Sequence, residues 1–175
     1  LWDNNLTQAE DDEQKAWFVE NFNIYRGLDG GSYESGSGST GGSSSSSDID
    51  IEEYRDEVFR LVNKERENAG VPKCTSNDTA MEFAQIRAEE ISEMFSHERP
   101  DGSTMRYSHY TFAENIAKGQ NTPNDVVAAW MASSGHKATI LTDYSDYGNC
   151  LGVGVYEENG TIYWVLEFIL WDANA

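Results

Sequence analysis

The chain holds three histidines, His97, His109 and His136, and all of them fall in or beside segments that join its helical stretches. Imidazole both ligates divalent metals and exchanges protons near neutral pH. A carboxylate, Glu114, sits in Ala113-Glu114-Asn115-Ile116-Ala117, and two serines, Ser133 and Ser134, precede Gly135-His136. Two imidazoles and a carboxylate brought together would suit a divalent ion with open positions, or acid–base work with Glu114 as the candidate catalytic group. The same groups would serve equally as a scaffold, a buried carboxylate accepting hydrogen bonds and holding loops together. Ser96 beside His97 and Ser134 near His136 lack the G-x-S-x-G elbow of a serine nucleophile.

The elements that must position these residues are legible as patterns. Asp50 and Glu53 form a capping box for a first core helix from Ile51, with Tyr54, Val58, Leu61, Val62 and Glu65 at helical spacing and Gly70 and Pro72 ending it. A second helix is predicted over Thr79 to Phe95, capped by Asn77 or Asp78, with Ala84, Arg87, Ala88 and Ile91 among its inward positions. A short third helix is read at Ala113 to Ala117. A fourth starts at Thr122-Pro123, and a loop is expected after His136. Cys150 to Tyr156 and Thr161 to Leu170 read as strands joined by a tight turn at Asn159-Gly160. The second strand is apolar on both faces, which places it inside a covered sheet. Together these elements predict an α+β layered sandwich.

Composition narrows the partners. The 175 residues carry 12 basic and 31 acidic side chains, a net charge of −19, which repels phosphate backbones and anionic lipid, so nucleic acid is excluded as a partner. No apolar run reaches the roughly 18 to 20 residues of a membrane-spanning helix. Residues 35–50 form a flexible Ser/Gly-rich linker, clearest from Ser35 to Ser47, between an acidic segment 1–34 and the domain 51–175. One amphipathic helix is predicted from about Gln8 to Tyr25, which would dock on the domain, bind a protein partner or stay partly disordered. Cys74 and Cys150, 76 positions apart, make no CxxC pair; joined, they would stabilise the fold by roughly 4 kcal/mol in the chain-entropy picture, with two free thiols as the alternative.

The segments FSHERPDG, AENIAKGQ, TPNDVVAAWMASSGHKATIL, YGNCLGVGVY and YWVLEF, in that order, strongly resemble the CAP superfamily in its bacterial, secreted SCP-like branch. The resemblance covers about Tyr54 to Leu170. It implies a three-layer α-β-α sandwich with a cleft lined by two histidines and two acidic residues, and a secreted or cell-surface location. His97, Glu114 and His136 match three of those positions. The fourth falls near Ser133 or Ser134, where related chains often carry Glu. The implied ligands are Zn2+ or another divalent ion held by His97, His136 and Glu114, or a small apolar or lipidic molecule; a metal-dependent hydrolase and an adhesion domain are the alternatives. With Glu114 the only matched carboxylate, it cannot readily be both ligand and general base, and Glu98 or Asp101 would have to substitute. The resemblance also places Cys74 on an edge strand and Cys150 at the start of the hairpin, so a disulfide between them is expected.

Overall fold

A computed structural model describes residues 49–102 and 111–169. The chain divides after Ser47 into two units, and the described residues all belong to the second. The helix predicted over residues 8–25 and His109 lie outside the described residues.

Helix α1 (Ile51–Asn68) begins where the Asp50 side chain accepts the Glu53 N–H at 3.0 Å. It buries Val58, Val62 and, unexpectedly, Arg66. The Arg66 guanidinium is fully covered, yet its donors reach the carbonyls of Pro72, Ile140 and Thr142 at 2.7–2.8 Å and the Asn149 side chain at 3.0 Å. Helix α2 (Asp78–Glu93) is capped by Asn77, which accepts the Ala80 N–H at 2.8 Å.

Strand β1 (Thr111–Lys118) lies where a short helix was expected at Ala113 to Ala117. The segment is too short to sustain a helix, and its Ala/Asn/Ala and Glu/Ile positions sort to opposite faces at a period of two. Pairing with a neighbouring strand, from Ala113 opposite Phe168 to Lys118 opposite Tyr163, decides the matter. Helix α3 (Pro123–Ala132) is capped by Thr122, as its sequence indicates. Helix α4 (Ser134–Leu141) replaces the loop expected after His136, because Lys137 to Leu141 contains no breaker and Ile140 finds a buried site.

Strands β2 (Cys150–Glu158) and β3 (Thr161–Ile169) form the hairpin, turning at Asn159 and Gly160 with φ of 52° and 77°, the two left-handed positions such a tight turn requires. The sheet order is β1-β3-β2, antiparallel throughout. β3 is the central strand, in keeping with its two apolar faces. Trp164, Leu166 and Phe168 join Val58, Val62 and Trp130 in the larger core, whereas Val165 packs with Ala84, Ala88 and Ile91 of α2 on the other face. The result is α1, α3 and α4 on one side of the sheet and α2 on the other. α2 lies directly on the β2 backbone: a Cβ at Gly152 or Gly154 would come within 2.0 or 1.8 Å of the Ala80 or Ala84 carbonyl oxygen.

The outer edge of β2 is closed by side chains instead of a strand. Gln85 both donates to the Val155 carbonyl and accepts its N–H, and Arg55 donates to the Val153 carbonyl. Cys74 and Cys150 are both free and buried, so the expected disulfide is not formed. It is Thr75 that bridges Cys150, and the alternation of side chains turns Cys74 into the larger core while Cys150 packs with Ala80 and Ile169. Burial pushes both thiols up to about 11.

Candidate functional site

β1 carries the central residue of the site. Glu114 faces α2 with a fully covered side chain, and both its oxygens are engaged. Arg87 Nε donates to Oε2 at 2.8 Å and Arg87 Nη2 to Oε1 at 3.4 Å. His97 Nδ1 lies 2.8 Å from Oε1 and is the donor there, because an ionised carboxylate only accepts. Arg87 also donates to the Ser96 carbonyl and to Glu90, and Glu90 holds Arg99 through both its oxygens at 2.5–3.1 Å. The segment that carries His97 is therefore fastened to α2 by an ionic network on either side of the imidazole. The His97 side chain is 58% exposed, with Nδ1 turned inward to Glu114.

His136 reaches the site from the other side of the sheet. It sits in the first turn of α4, and its carbonyl accepts the Asn115 side-chain N–H at 3.0 Å. Glu114 and Asn115, adjacent on β1 and pointing to opposite faces, thus secure the two histidine-bearing segments separately. The hydrogen bond to Glu114 holds the His97 ring above its ordinary pKa, whereas burial and then the nearby His97 hold His136 below. One imidazole favours the charged form and its neighbour the neutral form.

Glu167 of β3 is the carboxylate that sequence reasoning missed. It stands directly opposite Glu114 in the strand register, 4% exposed, and burial followed by the charge of Glu114 pushes it up to about 8. A second buried acidic residue, from the central strand, thus stands beside Glu114. Ser133 marks the joint between α3 and α4 and Ser134 is exposed at the start of α4. Neither belongs to the hydrogen-bonded cluster around Glu114 among the described residues. Glu98 and Asp101 are exposed. Arg87 was visible in the sequence as a lone charge on an apolar helical stripe, and Glu167 as a lone charge in an apolar strand. In each case the signal was a polar residue where burial was already expected.

The expected set of His97, Glu114 and His136 does not form a three-ligand cage. Among the described residues no group of three or more His, Cys, Asp or Glu is arranged to hold a metal ion. Glu114 instead orients His97 through its Nδ1.

The family model for the cysteine-rich secretory protein family, CAP, matches residues 59–168 of the chain. The chain belongs to this family. Its CAP domain is 35% identical over 128 residues to the uncharacterized protein YkwD of Bacillus subtilis, covering 68% of this chain and 48% of that one, so the chain spans about half the length of that relative. Among solved structures it resembles an extracellular protein containing an SCP domain from Bacillus anthracis, at a TM-score of 0.57 and 20% identity over 67% of this chain and 41% of the other. An outer surface protein of Borrelia burgdorferi matches at the same TM-score and identity, over 69% of this chain and 96% of its own. At that identity the likeness establishes the CAP fold alone. No helix among the described residues is long and apolar enough to cross a membrane.

Proposed function

We propose that this CAP domain is an extracellular binding module whose cleft takes a divalent cation between His97 and His136. The observation that carries the reading is the Arg87–Glu114–His97 chain of hydrogen bonds. A carboxylate behind one ring nitrogen fixes the orientation of an imidazole and raises the basicity of the other nitrogen, which is how metal-ligating histidines are usually held. His136, kept toward its neutral form, is the second donor. Zinc suits two imidazoles, and once bound it would supply a Lewis-acidic charge to the cleft. Binding is favoured over hydrolysis because both Glu114 oxygens are already engaged, which leaves that carboxylate poorly placed to take a proton. The extracellular location is supported by the bacterial proteins of the same fold described as extracellular or outer-surface.

A zinc titration followed by the histidine ring resonances tests this reading. His97 and His136 should shift together and reverse with a chelator, while His109 stays fixed and His97→Ala abolishes the response of His136. No response below millimolar zinc would exclude it. A small apolar or lipidic ligand is a second reading, favoured by Met94 and Phe95, 36% and 43% exposed, three and two positions ahead of His97. Saturable lipid binding that Phe95→Ser abolishes would support it. A protein partner acting through residues 1–34 concerns a segment outside the described residues.

A further inference from the structure

The exposed face of α1 carries a charge pattern that the histidine cleft does not use. Glu52, Asp56, Arg60 and Lys64 recur every four residues and are all exposed, so they form one row along the helix, two acids followed by two bases. The row runs between two grooves that meet at half-buried Phe59. The first, about 570 Å3, lies at the acidic end, where Glu52 and Asp56 face Asp78 and Glu82 of α2. The second, about 470 Å3, lies at the basic end beside Arg60, Lys64 and Lys73, the last of which is paired at 3.0 Å with Glu67. Asp56 and Lys64 are in no hydrogen bond or ion pair among the described residues. Glu52 and Arg60 meet only neighbours on the same helix, Arg55 and Glu57.

This arrangement is self-complementary in one orientation only. Two parallel copies of α1 would place acids on acids. Two antiparallel copies, related by a two-fold axis that passes between the two helices at the level of Val58, place Asp56 opposite Arg60 of a second copy and Glu52 opposite Lys64, each pair occurring twice by symmetry. The long basic side chains of one copy would then enter the acidic groove of the other, with Phe59 of both copies beside the axis to supply apolar contact at the centre of the patch. We infer that the α1 face is an isologous dimer interface and that its partner is a second copy of this chain.

The full chain is tested by sedimentation velocity at about 0.15 M salt, where repulsion between two molecules of net charge −19 is screened beyond about 8 Å. The expected mass is twice 19.6 kDa. The reversals Glu52→Lys with Asp56→Lys, and separately Arg60→Glu with Lys64→Glu, should each raise the dimer dissociation constant at least about tenfold, since each sets like charges against like. Mixing the two reversed proteins should restore the dimer, because one face is then wholly basic and the other wholly acidic. That recovery also shows that both variants are folded. A wild type that stays monomeric at millimolar concentration overturns the inference. So does a dimer indifferent to either reversal, or a mixture that fails to reassociate.

Discussion

Glu114 accepts from one guanidinium and one imidazole, and the consequences for the two histidines can be measured separately. In a proton NMR titration His97 should lose its proton at higher pH than His136. Glu114→Gln, which removes the charge and keeps the shape, should lower the His97 midpoint and, by relieving the charge beside it, move His136 by less and in the opposite direction. Unchanged midpoints would mean that the hydrogen bond does not set the His97 charge. Glu167 makes stability depend on pH. Its folded-state pKa of about 8 lies above the 4.5 of a free side chain, so its contribution is complete below the lower value and is lost as pH rises to the upper one. The urea midpoint should therefore fall between pH 5 and pH 8 in the wild type by more than in Glu167→Gln, which cannot ionise. His97 also titrates in that window with the same sign, and the difference between the two proteins cancels it. Equal slopes would show that Glu167 is charged in the folded protein.

At the scale of elements, the contact of α2 with β2 depends on two glycines. Gly154→Ala would drive a methyl into the Ala84 carbonyl, and since backbone lies on both sides neither can yield cheaply. A loss of about 3 kcal/mol in urea unfolding is expected. Gly135→Ala is the control: nothing lies within 4 Å of its added Cβ, it sits in a helix, and a gain of up to about 1 kcal/mol is expected. Parity between the two substitutions would refute the close approach. The elements also differ in how legible they were. α1, α2, α3 and the hairpin each carry a local signal, a cap or a two-residue turn, and each forms where that signal lies. β1 and α4 have none. Ala-Glu-Asn-Ile-Ala is compatible with either period over so few residues, and β3 alone chooses between them by pairing. Ser133 makes no side-chain cap bond, so nothing local announces α4.

For the whole molecule, a net charge of −19 on 175 residues sets a general repulsion that folding must overcome. Raising sodium chloride from low ionic strength to about 0.15 M, where the Debye length is about 8 Å, should raise the melting temperature. A fall would mean that specific pairs such as Arg60 with Glu57 outweigh the long-range field.

The residues by themselves determined the layered α+β class, the covered central strand and, through the motifs, the family, whose resemblance marks His97, Glu114 and His136 as candidates. Those follow from local periodicity, caps and motifs, which are written in the order of the chain. Three features were decided only in three dimensions: Glu167 as the second buried acid beside Glu114, Arg87 as the clamp on Glu114, and the separation of Cys74 from Cys150. Each depends on strand register or on which face of an element a side chain occupies. A shift of one residue in register exchanges the faces of a strand. That choice is made by the packing of the whole domain.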